Sequence, residues 1–461
     1  MIKKVLIANR GEIVTRVMKA CREMGIKTVV IYSEADKGMF YLEQADEAYH
    51  IGPANPIKSY LNIEAIIEAL KKSGADAVHP GYGFLSENAR FAEAVAACGV
   101  TWIGPPPQVL SAIDSKCYCR SIASKAGVPV VPGTIGTISS VDEIYGLAAS
   151  LGYPLVLKLD KGGGGKGIEL VKRGEDVKGA FERLSRIGLM AFGHPECYIE
   201  KEISNPRHIE VQFLVDKNSN CVCLGERECS IQRRYQKIIE ESPSPVVSEE
   251  DRENLFEYTR RLALGMGYVG AGTMEYLRSP DGQFYFMEVN ARLQVEHPVT
   301  ELITGIDIVK KQISIAAGEE LGFDQGEVEF KGHAIEARVY AEDPVTFCPS
   351  PGKIERLEMP SANGVVLRVD HAIKEGVSVP PYYDPLLAKV IAWGEGRREA
   401  IENLKKALSS FKVEGIKTTI PVNLAIISSQ AFAAGELSTG FIENMYERGS
   451  DGVLRPLWPC M

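Results

Sequence analysis

Several classes of protein are excluded by what this sequence lacks. Its apolar stretches are interrupted by Gly, Pro or charged residues well before the ~18 residues that a membrane-spanning helix needs. The N-terminal stretch MIKKVLIANRGEIVTRV moves directly into a strand-and-helix pattern, so no secretory leader is expected. The 10 cysteines form no CxxC pair and no His-rich motif accompanies them, which predicts reduced structural thiols in a cytoplasmic protein.

An excess of basic charge is also absent. The formal net charge of -9 argues against a general nucleic-acid-binding or membrane-surface protein. Any anionic ligand must therefore be bound in a local basic pocket. With 461 residues, of which 45% are hydrophobic, the chain is long enough for about two to four globular domains.

Strands and helices alternate over about the first 110 residues, beginning with KVLIANR and GEIVTRVMKACREMG. This alternation predicts a doubly wound parallel sheet. No GxGxxG follows the first strand, so the domain is expected to be Rossmann-like in topology without a nicotinamide dinucleotide site.

The stretch DKGGGGKG (160–167) is the most unusual segment of the chain. In a strand-turn-strand context, consecutive glycines allow backbone N–H groups to approach an anion closely, and Lys158 and Lys166 bracket this run with positive charge. The segment is no Walker A motif, because GxxxxGK[ST] is missing. Taken alone, the run is equally compatible with a flexible surface loop.

A hairpin further along the chain favours the phosphate-binding interpretation. In GTMEYLRSPDGQFYFMEVN (272–290), Asp281 and Gly282 predict a tight turn, and a two-residue loop would place Glu275 opposite Glu288 with Cβ atoms ~5 Å apart. A longer loop with an even shift keeps both on one face, which Asn290 shares. Two carboxylates and an amide oxygen are hard ligands that suit Mg²⁺ bound to substrate phosphates.

The segment NARLQVEH then places Arg292, Gln294, Glu296 and His297 behind this pair. A guanidinium suits a planar oxyanion such as bicarbonate, and a neighbouring carboxylate can accept a proton from it. Lys237 in QRRYQK and Arg338 in EARVYAED are further candidate cations.

These motifs resemble a known enzyme family over nearly the whole chain. Seven segments look like the biotin carboxylase component of biotin-dependent carboxylases, within the ATP-grasp superfamily. In chain order they are IANRGEI, HPGYGFLSEN, GGGGKG, EKEISNPRHIEVQ, GERECSIQRRYQK, FMEVNARLQVEHPVTE and HAIEARVYAEDP. The resemblance implies three domains of α/β and α+β class. These are a Rossmann-like N-terminal domain (1–113), an ATP-grasp domain (114–330) with a mobile lid over about 131–203, and a biotin carboxylase C-terminal domain (331–447).

The implied reaction converts ATP, bicarbonate and biotin to ADP, phosphate and N1-carboxybiotin, with Mg²⁺ or Mn²⁺. The residues expected to contact ATP are Lys116, Lys158, Gly162, Gly163, Gly164, Gly165, Glu200, Lys201, Ile203, His208, Gln232 and Leu277. Those expected at bicarbonate or biotin are Tyr82, Arg292, Gln294, Val295 and Arg338. Glu275 and Glu288 would bind the metal with Asn290, Glu296 would be the general base, Arg338 would stabilise the biotin enolate, and Lys237 would bridge the phosphate and bicarbonate sites.

Departures from the family pattern bear on nucleotide binding rather than on the reaction. Tyr235 stands where His is common, Leu159, Asp160 and Lys161 stand where small residues commonly follow the lid lysine, and Ile168 replaces the usual Met.

No MKM biotinyl-lysine motif is present, so the biotin carboxyl carrier and the carboxyltransferase are expected on other chains. A homodimer that uses the region near Arg16 and the C-terminal domain is also expected. The final acceptor is left open among acetyl-CoA, propionyl-CoA, pyruvate and 2-oxoglutarate.

Two alternatives remain at this point. Another ATP-grasp carboxylate ligase would share the metal pair but not RLQVEH together with EARVYAED. A catalytically silent nucleotide-binding regulator would be expected to have lost Glu288, Arg292 or Glu296, and all three are present.

Overall fold

The N-terminal part of the chain folds around a parallel five-stranded sheet. The structure is a computed structural model that describes residues 2–162, 167–361, 364–448 and 454–457. The strands of this sheet are β1 (Lys4–Ile7), β2 (Lys27–Tyr32), β3 (Glu47–His50), β4 (Ala77–His79) and β5 (Thr101–Trp102). The helices here are α1 (Glu12–Glu23), α2 (Tyr41–Gln44), α3 (Ile63–Ser73), α4 (Ala89–Ala97) and α5 (Pro107–Ile113). The strand order β3-β2-β1-β4-β5 confirms the predicted Rossmann-like topology.

A small antiparallel sheet follows, in the region predicted to form the lid. Helix α6 (Lys116–Lys125) precedes this region. The region itself contains α7 (Val141–Leu151), β6 (Leu155–Leu159), β7 (Ile168–Val171), α8 (Val177–Phe192) and β8 (Cys197–Lys201), and the strand order of the sheet is β7-β6-β8. Leu155, Leu157 and Leu159 alternate with more exposed residues along β6, so one face of the sheet packs on the helices. Helix α8 begins at Val177, directly after Asp176, and ends at Phe192. Gly163, Gly164, Gly165 and Lys166 lie outside the described residues.

The largest element is an eight-stranded antiparallel sheet. Its strands are β9 (Arg207–Val215), β10 (Cys221–Arg233), β11 (Gln236–Ser242), β12 (Gly270–Arg278), β13 (Phe284–Asn290), β14 (His333–Tyr340), β17 (Leu367–His371) and β19 (Leu386–Gly394). Short strands between and after these are β15 (Gly352–Lys353), β16 (Arg356–Glu358), β18 (Ser378–Val379), β20 (Lys412–Glu414), β21 (Tyr446–Arg448) and β22 (Leu454–Pro456). The helices of this part are α9 (Glu249–Gly265), α10 (His297–Thr304), α11 (Ile308–Ala316), α12 (Arg397–Ser410), α13 (Ile420–Ser428) and α14 (Gln430–Ala434).

This sheet runs across the predicted domain boundary at residue 331. Its strand order is β13-β12-β9-β10-β11-β14-β19-β17, and β11 pairs with β14 in the register Ile239↔Ala337. The pairing creates one apolar core in which Ile231 and Ile239 meet Ile335 and Val390. The predicted ATP-grasp and C-terminal domains therefore share one sheet, and the domain boundaries stay predictions. Among the described residues, no helix is both long enough and apolar enough to cross a membrane.

Candidate active site

The β12–β13 hairpin places two carboxylates opposite each other, as predicted, although the turn differs. Glu275 pairs directly with Glu288, and Thr273 pairs with Asn290. The loop is five residues long rather than two: the Ser279 N–H donates to the Gln283 carbonyl at 2.9 Å, and the strands resume at Phe284. A β-bulge between Glu275 and Tyr276 shifts the register by one residue and restores the predicted pair.

A third carboxylate extends this row across the sheet. Glu275 also pairs with Glu210 on β9, which is fully buried at 0% exposure. Glu210 accepts from Arg227 Nε at 2.5 Å, and His208 on the same strand lies 3.2 Å from Glu275 through Nε2 and Oε2. Glu210 and Arg227 were not predicted as site residues. The alternation His208, Glu210, Gln212 along β9 was the available signal, because alternate strand residues share a face.

Lys237 is the cation at the centre of the acidic cluster. Its Nζ lies 2.5 Å from Glu210 Oε2, 3.0 Å from Glu275 Oε1 and 2.6 Å from Glu296 Oε1. Burial alone would lower the pKa of Lys237, but these carboxylates raise it well above its ordinary value. Lys237 therefore stays protonated and holds three carboxylates from three segments together. Two groups of potential metal ligands lie around Lys237. One is His208, Glu210 and Glu275, and the other is Glu210, Cys229 and Glu296. The Lys237 ammonium provides a positive charge beside both groups.

Glu296 lies immediately before α10 and is fully buried. One of its oxygens contacts Lys237, and Oε2 lies 2.9 Å from Arg338 Nη2. Burial would raise the pKa of this carboxyl, but the charges of Lys237, Arg338 and Arg227 hold it well below its usual range. Glu296 is consequently ionised at neutral pH and can accept a proton.

Arg338 reaches Glu296 from β14, beyond the predicted boundary. Its Nε donates to Glu240 Oε1 at 2.6 Å, and Nη1 lies 3.4 Å from the Tyr340 hydroxyl. Burial raises the pKa of Glu240 to about 7, and the nearby Arg338 only partly opposes this. Arg338 is thus shared between two carboxylates, one of which is the expected base.

Arg292 is tied to the polar residues around it. Its Nε donates to Glu87 Oε2 at 3.0 Å, Nη1 to Gln294 Oε1 at 3.0 Å and Nη2 to Asn290 Oδ1 at 2.9 Å. Gln294 Nε2 in turn donates to Glu275 Oε1 at 3.3 Å. The amide oxygen of Asn290, expected at a metal, is thus occupied by Arg292, whereas Glu87 is a partner that was not predicted.

The expected ATP-binding residues come from separate elements. Lys158 on β6 contacts Glu200 on β8 at 2.5 Å, and Arg120 on α6 also contacts Glu200. Lys116 at the start of α6 donates to the Gly162 carbonyl, and its Nζ lies 3.9 Å from Glu288 Oε2. Burial and the charge of Glu275 both raise the pKa of Glu288, whose side chain keeps 36% exposure.

The other residues expected to contact the nucleotide lie on or beside several different strands. Lys201 Nζ donates to the Tyr153 carbonyl at 3.1 Å, and Gln232 Nε2 donates to the Cys229 carbonyl at 3.4 Å. Leu277 pairs with His208 across β12 and β9, so these two expected nucleotide residues share one face. Ile203 lies just after β8 and is half-buried.

The chain is similar to known proteins over nearly its whole length. Family models match consecutive parts of the chain: the biotin carboxylase N-terminal domain over residues 1–110, the ATP-binding domain of the carbamoyl-phosphate synthase L chain over 115–323 and the biotin carboxylase C-terminal domain over 336–444. Biotin carboxylase 1 of Bacillus subtilis is 49% identical over 98% of this chain and 100% of its own length. A pyruvate carboxylase subunit of Methanothermobacter thermautotrophicus is 48% identical over 99% of this chain and 92% of its length.

The chain belongs to the biotin carboxylase family. Among solved structures, the biotin carboxylase domain dimer of Hydrogenobacter thermophilus 2-oxoglutarate carboxylase, in complex with MgADP, ADP and bicarbonate, is 45% identical. Its TM-score is 0.93, with 96% of this chain and 98% of that chain covered. The three-domain architecture and the enzyme class, a ligase that carboxylates biotin with ATP and bicarbonate, are confirmed. The alternatives of an unrelated ATP-grasp ligase and of a silent regulator are not supported.

Three of the departures from the biotin carboxylase pattern, at Leu159, Asp160 and Tyr235, have defined positions in the structure. Asp160 is buried, and its Oδ1 accepts from Cys117 N–H at 2.7 Å and from Ser115 Oγ at 3.0 Å, which ties the end of β6 to the start of α6. Leu159 packs in the core of the small sheet. Tyr235 occupies the tip of the β10–β11 hairpin with φ 67°, after Arg234 with φ 50°, and is 60% exposed.

Two further predicted residues belong to a buried network beside the site. The Tyr82 hydroxyl donates to Glu12, and the Val295 carbonyl accepts from Lys389 Nζ at 2.9 Å. Arg16, expected near a dimer contact, is buried within the described chain and contacts Glu301 at 2.8 Å and Asp307 at 2.7 Å. Its role in dimerisation stays a prediction.

Proposed function

We propose that this chain catalyses the first half-reaction of a multi-subunit biotin-dependent carboxylase, with carrier-bound biotin as the carboxyl acceptor. The observation that carries the proposal is the ionised, fully buried Glu296 held between Lys237 and Arg338. The proposed base, Glu296, thereby contacts both the proposed cation for phosphate, Lys237, and the proposed cation for the biotin enolate, Arg338. The proposal deepens the family assignment by giving each residue a task.

Glu296 accepts the proton of bicarbonate. The freed bicarbonate oxygen attacks the γ-phosphorus of ATP, a new P–O bond forms, and the bond from the γ-phosphorus to the β–γ bridging oxygen breaks to release ADP. Arg292, which is already oriented by Glu87 and Gln294, offers a planar guanidinium for the bicarbonate oxygens. Lys237 lies next to the base and can neutralise charge on the transferred phosphoryl group.

The low pKa of Glu296 makes it a weak base while both cations contact it. Substrate binding would draw Lys237 toward phosphate oxygens and Arg338 toward the ureido oxygen of biotin. Each withdrawal removes positive charge from the carboxylate and raises its proton affinity. The base would therefore gain strength only when the substrates are in place.

Arg338 acts in the second step. Carboxyphosphate, the product of the first step, breaks the bond between its carboxyl carbon and its bridging oxygen to give CO2 and phosphate, the phosphate takes the N1 proton of biotin, and N1 forms a C–N bond to CO2. Arg338 would stabilise the negative charge that develops on the ureido oxygen as the N1 proton leaves. A guanidinium in a buried site stabilises such charge more strongly than one in water. Its contacts with Glu240 and Glu296 keep the guanidinium fixed at the site.

The metal site fits Glu275 and Glu288, because two carboxylates face each other and the pKa of Glu288 is raised by burial and by its neighbour. A Mg²⁺ ion bound there would neutralise charge on the ATP phosphates. We expect Lys158 and Lys116 to contact phosphate oxygens. The contacts of Lys158 with Glu200 and of Lys116 with Glu288 support this expectation.

The partners follow from the same assignment. We propose that a biotin carboxyl carrier protein and a carboxyltransferase are separate chains, that the chain forms a homodimer, and that it works in the cytoplasm. Support comes from the relative named as a subunit of pyruvate carboxylase and from the dimer of the Hydrogenobacter thermophilus domain. The acceptor of the second half-reaction stays open, because these two relatives belong to carboxylases of different acceptors.

The test is ADP release by the purified chain with MgATP, measured with and without bicarbonate and with and without a biotinyl carrier protein. We expect release to require bicarbonate, to rise with the carrier and to stop when EDTA removes the metal. Release that is independent of bicarbonate, or that is driven by another carboxylic acid, would contradict the proposal.

A further inference from the structure

A fully buried lysine lies directly behind the segment that carries Val295 and Glu296. Lys389 on β19 has 0% exposure. Its Nζ donates to the Val295 carbonyl at 2.9 Å and lies 3.2 Å from Glu12 Oε1 and 3.7 Å from Asp370 Oδ2. Lysine is almost never fully buried unless it is paired, so this arrangement requires an explanation.

Of the three contacts, charge balance requires only the one to Glu12. Asp370 is held by Arg368 through contacts of 2.9 and 2.6 Å and needs no second cation. Glu12, on α1, has Lys389 as its cationic partner and accepts also from the Tyr82 hydroxyl. The contact to the Val295 carbonyl neutralises no charge, and it is the shortest of the three.

The Val295 carbonyl belongs to the peptide group that joins Val295 to Glu296. A donor that fixes this carbonyl fixes the plane of the peptide, and with it the direction in which the Glu296 side chain leaves the backbone. Register supports the placement, because Lys389 pairs with Arg338 on β14 and with Asp370 on β17. The sheet that carries Arg338 thus also holds the backbone of the base.

We propose that Lys389 is a positioning residue for bicarbonate, which holds the Val295–Glu296 peptide and, through Glu12, connects it to Tyr82. This inference rests on the proposed function of Glu296 and Val295. Lys389 touches no substrate and acts through the backbone. A shift of about 1 Å in a reacting group can cost ~100-fold in rate, so a backbone anchor of this kind has a measurable effect.

If Lys389 had a purely structural role, its loss would lower the stability equally, but KM for bicarbonate would recover whenever the stability is restored. Lys389→Met removes the donor and leaves Glu12 buried without its cation, so this variant is expected to be destabilised. Lys389→Met/Glu12→Gln removes that excess charge, while a glutamine at position 12 can still accept from the Tyr82 hydroxyl. The double variant therefore recovers stability but still lacks the donor to Val295.

The experiment compares wild type, the two variants, Glu12→Gln and Lys389→Arg. KM for bicarbonate, KM for MgATP, Tm and amide hydrogen exchange over residues 293–297 are measured. We expect KM for bicarbonate to rise ~10- to 100-fold in Lys389→Met and in Lys389→Met/Glu12→Gln, with KM for MgATP nearly unchanged. Exchange over 293–297 should be faster in both, although Tm recovers in the double variant, and Lys389→Arg should restore part of the bicarbonate affinity.

Arg397→Met is the matched control, since Arg397, whose side chain is 17% exposed, forms an ion pair at 2.7 Å with the buried Glu241 of the same sheet. The hydrogen bonds of Arg397 go to Glu241 and to the carbonyls of Phe432 and Ala433, and not to residues 292–296. This variant should lower Tm without raising KM for bicarbonate. Recovery of KM and exchange together with Tm in the double variant would overturn the inference. If wild type released ADP without bicarbonate, the proposed function would fail instead, and the exchange data would still decide whether Lys389 fixes the peptide.

Discussion

The two halves of the site differ in how they are built. The half expected to bind bicarbonate and biotin is centred on the eight-stranded sheet, where the fully buried Glu210 shares Lys237 with Glu296, which is fully buried just before α10. The half expected to bind ATP combines α6, the small sheet and the β12–β13 hairpin, and its side chains are more open, with exposures of 16% for Lys158 and 20% for Lys116. We infer that the first half is preorganised, whereas the second is completed by the nucleotide.

This contrast has a physical basis. Neighbours in one sheet are fixed by hydrogen-bonded register, so charges in it can be placed for a transition state before substrate arrives. Side chains on separate elements gain fixed positions from a ligand that contacts all of them. Substitutions in the large sheet should therefore reduce the rate, whereas substitutions around the small sheet should reduce ATP affinity.

The largest effect is expected for Glu296→Gln. The variant keeps the size of the residue and one acceptor oxygen, so only one of the contacts with Lys237 and Arg338 can persist. It cannot accept a proton, and loss of a general base typically costs ~10²–10⁴-fold in rate. Phosphate release without biotin and carboxybiotin formation should both collapse, while binding of MgATP stays near normal. Glu319→Gln, at an exposed carboxylate, is the control. Retention of most of either activity would show that Glu296 is not the base.

Arg338→Ala should separate the two steps. Carboxybiotin formation should fall ~10²–10³-fold, as for loss of an oxyanion donor, while bicarbonate-dependent ATP cleavage without biotin is better preserved. Because the truncation leaves Glu240 without its cation, Arg338→Ala/Glu240→Gln serves as the charge-balanced control. Equal loss of both activities in the balanced variant would contradict the assignment of Arg338 to the second step.

Lys158→Met tests the other half of the comparison. It removes one charge-assisted contact, so KM for MgATP should rise ~10- to 100-fold with a smaller change in kcat. Lys172→Met, at an exposed lysine just after β7, should leave both parameters unchanged. A fall in kcat at unchanged KM would mean that the small sheet is as preorganised as the large one.

The smallest effect is expected for Asp160→Ala. The loss of its hydrogen bonds to Cys117 and Ser115 at the start of α6 should destabilise the fold by ~1 kcal/mol and weaken MgATP binding slightly through Lys116. Asp160→Asn, which keeps an acceptor oxygen, should be closer to wild type in thermal denaturation. Identical stability of the two variants would argue against this anchoring role.

Local patterns in the sequence determined much of the fold and several site residues. Strand-and-helix alternation predicted the parallel sheet, and the two-residue period of strands placed Glu275 and Glu288 on one face. The turn lies at Asp281 and Gly282 as predicted, but the loop has five residues instead of two, and the pairing survived because the Glu275–Tyr276 bulge compensates for the longer loop. Motifs such as NARLQVEH predicted Arg292 and Glu296 as site residues, because residues of suitable chemistry lie close together in this short segment.

Only the tertiary structure decided which distant residues meet. Pairing of β11 with β14 brings Arg338 to Glu296, and the fold converges Lys237 with Glu210 and Glu275. The ionisation of Glu296 and the burial of Lys389 are likewise properties of these neighbours. The physical reason is that burial and charge proximity depend on distances in space, and those distances are set by sheet register and packing between segments far apart in the chain.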